Sequence, residues 1–329
     1  MGRVETEGSV SMYGVEETRY CHLCGKRITG RYYQYTNGLT VCAACERSAP
    51  RCARCNAPTP TVGARLSRRG MLLCARCVRE TFACDICQEP ILGSWYTYQE
   101  LVATPEPRRY CAECVRDRPH CDLCQSPTGP GAVTLTDGQY RCVVCASDLV
   151  IGEPAIRLVY TDALKQLAQI VDTPLRHTPP LDVVNRRRMG ETRRTYAREA
   201  GQMGGAHVED GGAARHVLGF FVRTQGKPII YIEAGLTRGL LLGTLAHELG
   251  HAWQSEQLGA AAGALDPLVS EGFAEWVAYH TLLARGLRTL ATRARERQDI
   301  YGRGLERLLS IEQSRGRAEA LRVARAGRL

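Results

Sequence analysis

The sequence predicts an α+β protein: tandem small treble-clef-type zinc fingers followed by a mainly α domain with a small β-sheet. Three observations carry this prediction. All 16 cysteines fall between Cys21 and Cys145, every one of them in a C-x-x-C pair. Beyond Cys145 the cysteines stop and helical periodicity takes over. Within that second part, two short apolar runs, 216–222 and 228–232, flank the stretch Arg-Thr-Gln-Gly-Lys, which is a hairpin signature.

The cysteine pairs are Cys21/Cys24, Cys42/Cys45, Cys52/Cys55, Cys74/Cys77, Cys84/Cys87, Cys111/Cys114, Cys121/Cys124 and Cys142/Cys145. Successive pairs are separated by 17, 6, 18, 6, 23, 6 and 17 residues, so long and short gaps alternate as a four-fold internal repeat. A C-x-x-C turn offers two sulfurs to one ion, and two such turns complete a tetrahedral thiolate site. The long gap holds a hairpin that returns the second pair to the first, as in RYYQYTNGLTV with its Asn37-Gly38 turn. Sequential pairing is therefore expected: 21/24 with 42/45, 52/55 with 74/77, 84/87 with 111/114, and 121/124 with 142/145. Interleaved pairing stays open, because spacing does not fix connectivity. Four protein thiolates leave no open coordination position, so these ions are expected to be structural and to supply most of each finger's folding energy.

The drop in cysteine near residue 150 predicts four regions: a disordered leader 1–19, a finger pair 20–80, a second finger pair 81–148, and a helical domain 149–329. The leader is glutamate-bearing and has no apolar core, so it does not read as an export signal. Uniform C-x-x-C pairing without such a signal fits a reducing, cytoplasmic setting and argues against a disulfide scaffold. No stretch approaches the ~20 apolar residues of a membrane span. The net charge of +9 invites a nucleic-acid partner. Four tetrathiolate sites at about −2 each, and one further divalent ion, bring the loaded protein to roughly +3, so much of the arginine excess balances thiolate.

In the second part, residues 151–171 have a helical pattern through Leu164, Leu167, Ala168 and Val171, whereas 185–214 is polar and glycine-rich and reads as a mobile loop. The stretch GLTRGLLLGTLAHELGHAWQSEQLG, residues 235–259, reads as one helix capped by Thr237, with Leu241, Leu245 and Leu249 on one face. His247 and His251, at i and i+4, project together from another flank and can share one ion, with Glu248 beside the open position as general base. Residues 270–280, SEGFAEWVAYH, read as a following helix that brings Glu271, separated from His251 by 19 residues, as a third ligand. Glu275, one turn on, is placed to accept a hydrogen bond from a ligand histidine and so fix its tautomer. His207 and His280 read as surface residues. The Arg-rich end, 281–329, reads as a domain-closing helix and a solvated tail.

These motifs resemble two known patterns. The finger array is similar to tandem LIM domains, although it has six residues between fingers rather than two, and Cys42 where LIM domains often carry histidine. His247, Glu248 and His251 with Glu271 in an E-G-x-A-E setting resemble the gluzincin peptidases, which implies a zincin-like domain. Together, the order of fingers before peptidase, the stretch G-L-T-R-G-L-L-L-G-T-L-A-H-E-L-G-H-A-W and the later D-I-Y-G-R-G at Asp299–Gly304 resemble the LIM-domain peptidases first known as regulators of plant organ size. The resemblance covers about the last two thirds of the chain. It implies proteolysis of protein substrates, one catalytic and about four structural Zn²⁺, protein partners at the fingers, and Tyr301 as an oxyanion donor. Ubiquitin-linked control does not carry over, because no ubiquitin-interacting helix precedes the fingers.

The expected function is thus a zinc metallopeptidase acting on protein or peptide substrates, with the hairpin 216–232 offering an edge strand to extended backbone. Two other readings stand beside it: a LIM-like adaptor whose second domain is non-catalytic, and a zinc-finger nucleic-acid binder. The last lacks an aromatic stacking set in the fingers beyond Tyr32, Tyr33 and Tyr35. Membrane contact is not expected.

Overall fold

A computed structural model of the chain describes residues 3–6, 18–35, 38–60, 63–98, 101–102, 106–202, 217–224 and 227–327. They fall into two compact units, residues 1–97 with 107–118, and residues 98–106 with 119–329. The fourth cysteine module therefore belongs to the same unit as the helical region. No helix among the described residues is long and apolar enough to cross a membrane. His207 and the 203–214 part of the glycine-rich segment lie outside the described residues.

One local plan serves all four cysteine modules. The first C-x-x-C closes a tight turn that ends on a residue in the left-handed region, Gly25, Asn56, Gln88 or Gln125, at φ of 70°, 57°, 60° and 63°. That residue's N–H donates to the carbonyl of the first cysteine at 2.8–2.9 Å. The second C-x-x-C starts a short helix, with its first cysteine as N-cap. In three modules that cap sulfur accepts a hydrogen bond from the N–H of the second cysteine, satisfying a donor the helix start leaves orphaned.

In the first unit, β1 (Arg3–Thr6), β2 (Tyr32–Tyr35) and β3 (Thr40–Cys42) form an antiparallel sheet before α1 (Ala43–Ser48). The leader expected to be disordered thus contributes a strand, in register Arg3↔Tyr35 to Thr6↔Tyr32. Backbone pairing with the free edge of β2 holds it there, a contact that composition does not register. The second module adds β4 (Arg65–Leu66), β5 (Leu72–Leu73) and α2 (Ala75–Glu80), and the third adds α3 (Ala112–Asp117).

The second unit opens with the fourth module, β6 (Val133–Thr134), β7 (Tyr140–Arg141) and α4 (Val143–Ser147). It continues through α5 (Glu153–Ile170), β8 (Leu181–Val184), α6 (Arg186–Gln202), β9 (Gly219–Thr224) and β10 (Lys227–Glu233). Then come α7 (Arg238–Leu258), a 3-10 turn, α8 (Pro267–Ala284), α9 (Arg288–Arg295), α10 (Ile300–Arg315) and α11 (Arg317–Ala326). The sheet runs β8-β10-β9, with β8 parallel and β9 antiparallel to β10.

Two sequence expectations fail here. The loop expected over 185–214 is a helix as far as Gln202. Met189 is buried, and Tyr196, seven residues on, packs on Phe220 and Tyr231 of the sheet, so a tertiary face overrides the glycines. Nor is the end of the chain a solvated tail: Ala320, Leu321, Val323 and Ala324 of α11 are buried in the main core.

At the centre of that core lies α7, which buries Leu241, Leu245, Leu249 and Trp253 completely or nearly so. Glycines let its neighbours approach to backbone contact. A Cβ on Gly250 would meet Ala274 of α8 at 2.8 Å, and one on Gly272 of α8 would meet the Gly304 backbone of α10 at 2.6 Å. The E-G-x-A-E and Y-G-x-G patterns therefore mark helix crossings.

Candidate metal centre

His247 and His251, one turn apart on α7, aim their Nε2 atoms at the same point, 3.1 Å from each other. From α8, Glu271 brings Oε2 to 3.2 Å from the His247 Nε2 and 3.4 Å from that of His251. Donors about 2.0–2.1 Å from a tetrahedral zinc-sized ion stand about 3.3 Å apart, so the three observed edges are those of one coordination triangle. A histidine-to-carboxylate hydrogen bond accounts for each edge to Glu271, and one shared cation would account for all three edges at once, the approach of the two imidazole nitrogens included.

The surrounding side chains set the protonation of these donors. Glu275 accepts a hydrogen bond from His247 Nδ1–H at 2.9 Å, which leaves Nε2 bare toward the triangle. Ser270 Oγ lies 3.4 Å from His251 Nδ1 and orients the second ring. Burial disfavours the charged form of His247, but its hydrogen bonds to Glu271 and Glu275 and the nearby Glu248 outweigh that and push its pKa up to about 10. Burial likewise opposes charge on Glu271, yet the two histidines hold it well below the usual carboxylate range. Three carboxylates around two imidazoles make an acidic pocket that could hold protons or a metal ion.

Glu248 is buried, and burial raises its pKa against the pull of His247 and His251. The backbone of Phe221 in β9, an outer strand of the sheet, works in the same direction as the histidines and favours the charged form of Glu248. The Tyr301 ring lies 5.7 Å from that of His247, centroid to centroid, at the start of α10. Arg297 stacks over Tyr301 at 4.2 Å and reaches Glu275 at 3.6 Å and Asp299 at 2.9 Å. Asp299 in turn caps α10 by accepting from Gly302 N–H. Of these, Ser270, Phe221 and Arg297 were not visible in the sequence. Ser270 adjoins Glu271 and Arg297 precedes Asp299, but neither position signals a role before the helices are packed. His280 is not a surface residue: it donates to Glu312 at 2.7 Å and is largely enclosed.

The cysteines form four sets, Cys21/24/42/45, Cys52/55/74/77, Cys84/87/111/114 and Cys121/124/142/145, each with its donor atoms within 4.8 Å of one another. That is the sequential pairing, and no cysteine is in a disulfide. Sulfur separations of 3.9 Å (Cys55–Cys74), 3.8 Å (Cys87–Cys111) and 3.6 Å (Cys124–Cys142) match the edge of about 3.8 Å for a tetrahedron with 2.3 Å metal–sulfur bonds. Backbone N–H donors reach the leading sulfurs, as from Cys42 to Cys21 and Cys74 to Cys52. Burial opposes ionisation, but these donors prevail, lowering Cys21 and Cys52 to about 6 and Cys84 to about 7. One leading thiolate in each of these sets is thus favoured, while burial and the neighbouring sulfurs push Cys45, Cys77 and Cys114 up, as expected of four sulfurs crowded together without a cation between them. All five sets could hold metal ions.

Comparison with protein-family models, curated proteins and solved structures returns no match.

Proposed function

We propose that this chain is a zinc-dependent peptidase with a zincin-like catalytic unit, hydrolysing peptide bonds in protein or peptide substrates. The observation that carries the reading is the three-donor triangle of His247, His251 and Glu271, with the buried Glu248 one residue along α7 from the first ligand. A triangle completed by a fourth protein ligand would suit a structural ion; three donors with a carboxylate alongside suit hydrolysis. A zinc ion held there would polarise a substrate carbonyl and bring the pKa of a water toward about 7.

The chain's own residues would do the rest. Glu248, with its pKa raised by burial, takes a proton from the attacking water at its carboxylate and returns it to the leaving amine. Glu275 and Ser270 hold the two imidazoles in the tautomers that leave Nε2 free. Tyr301, pinned by Arg297 beside His247, is the donor suited to charge developing on the carbonyl oxygen. The outer strand β9 offers its edge to an extended substrate backbone. The cysteine modules of the first unit carry exposed Phe82, Trp95 and Tyr96, side chains suited to contact with a protein partner or regulator.

The test is metal content and casein cleavage for the full chain and for Glu248→Gln. The proposal expects about five zinc ions in both proteins, with chelator-sensitive cleavage in the wild type only and a loss of at least a hundredfold in the variant. Full metal loading without cleavage in the wild type would turn the reading toward an adaptor.

A further inference from the structure

The four cysteine modules share a sequence pattern, but the fourth does something the pattern does not announce. Helix α7 has Thr237 as its N-cap, yet Thr237 makes no capping hydrogen bond. Its hydroxyl is fully buried and has no partner among the described residues. The cap comes instead from the fourth module. Arg238 N–H, the first of the helix, donates both to the Asp148 carbonyl at 2.9 Å and to its Oδ2 at 3.0 Å. Asp148 is itself the C-cap of α4, and its own N–H donates to the carbonyl of Cys145, a member of the fourth thiolate set.

The same module grips the loop before α7 from its hairpin. Fully buried Arg141 donates to the Gly235 carbonyl at 2.9 Å and to Gln139, and Gln139 donates to buried Glu233 at 2.9 Å. Val150 N–H adds a bond to the Leu236 carbonyl. Cys121, Cys142 and Cys145 share an apolar cluster with Leu282 of α8 and with Leu290 and Ala291 of α9.

We infer that the fourth four-cysteine set is a metal site built into the His-bearing unit, and that its occupancy sets the position of α7 and so the affinity of the His247/His251/Glu271 triangle for its own ion. The path is short: Cys145, the α4 end, Asp148, the α7 start, then nine residues of helix to His247. By linkage, an ion in either site favours the ion in the other. Asp148 is a positioning residue in this scheme and touches neither ion.

The experiment uses the full chain loaded with Co²⁺, whose thiolate charge-transfer bands report the four-cysteine sets and whose weaker ligand-field bands report the triangle. Amide hydrogen exchange across 238–244 provides a readout independent of the metal-centre reading, on which the cobalt arm rests. Cys145→Ser is expected to raise exchange there roughly tenfold and to weaken cobalt at the triangle, beyond any effect of Cys77→Ser in the second module. If Cys145→Ser does not fold, the Asp148 pair decides. Asp148→Ala, which keeps the backbone acceptor and loses the carboxylate one, should keep the thiolate bands but lower triangle affinity by up to roughly fivefold, and Asp148→Asn, whose side chain can still accept from Arg238, should restore most of it. Unchanged exchange over 238–244 with the fourth set emptied, or equal behaviour of the Ala and Asn variants, would overturn the inference. A wild type without ligand-field bands would count against the metal centre alone, and the exchange arm would still decide the coupling.

Discussion

The second and fourth cysteine modules obey the same spacing rule and occupy opposite energetic situations. Among the described residues, Leu73 is the one large apolar side chain buried against Cys52, Cys74 and Cys77 in the second module, with Cys55 and Val78 partly enclosed and the small Ala57 and Pro58 buried nearby. The fourth set lies among Leu101, Leu282, Leu290 and Ala291, with Leu240, Tyr279 and Leu287 packed at its margin. In the first case an ion would replace a core; in the second it would sit inside one. A cysteine pattern reports that a metal can bind, and the apolar surroundings decide what its loss would undo.

The largest expected consequence is on metal removal. Structural zinc in small fingers contributes on the order of 10 kcal/mol of apparent folding energy, and the second module has almost nothing else. Stripping metal with a strong chelator should therefore expose 52–77 to protease at once. The 121–145 segment should be cut more slowly, because the leucines of α8 and α9 that pack against its cysteines stay folded without the ion. Equal cleavage rates at the two segments would show that the surrounding helices add nothing to the fourth module.

A second effect runs through packing rather than metal. Gly272 and Gly304 let α8 and α10 touch backbone to backbone, and Glu271 directly precedes the first of them. Gly272→Ala would force the helices apart, at a cost of about 3 kcal/mol, the upper end for overpacking. Urea unfolding should register that loss, and the triangle should lose metal affinity while the second module keeps its own. Retention of normal affinity at the triangle would mean that α8 absorbs the methyl without moving Glu271.

How much of this could be read beforehand depends on the range of the interaction. Cys24 and Cys42 could be assigned to one set because hairpin length links them locally. His247 and His251 share a helix face by spacing alone. Glu271 was within reach because its helix follows directly, although its Oε2 distance to each imidazole was not. Met189 and Tyr196 were hidden in a glycine- and arginine-rich stretch, because their burial depends on β9 and β10, which come later in the chain. The strand at Arg3–Thr6 was hidden for the same reason, since its partner β2 lies some 30 residues on. Asp148 looked like the end of a finger, and only the packed structure brings it to Arg238, 90 residues away.

The smallest of the expected effects concerns acid, and it has no counterpart in the second module. Glu312 on α10 accepts from Trp276 Nε1–H at 2.9 Å and from His280 at 2.7 Å, both on α8, and from Arg317 of α11 at 3.1 Å. Burial alone would raise its pKa, but His280, the Trp276 N–H and Arg317 together lower it, while burial pushes His280 down. A carboxylate whose pKa is lower folded than unfolded contributes stability that is complete above its ordinary value and fades as the pH falls through the folded one. Glu312→Gln should thus cost about 1–2 kcal/mol near neutrality, the worth of hydrogen bonds to a charged group. The gap between variant and wild type should close as the pH falls below the ordinary value of 4.5. Any loss of thiolate-bound metal over that range would be common to both proteins, so their difference isolates Glu312. A gap that stayed constant down to low pH would mean that the cluster stabilises the α8–α10 crossing by shape and not by charge.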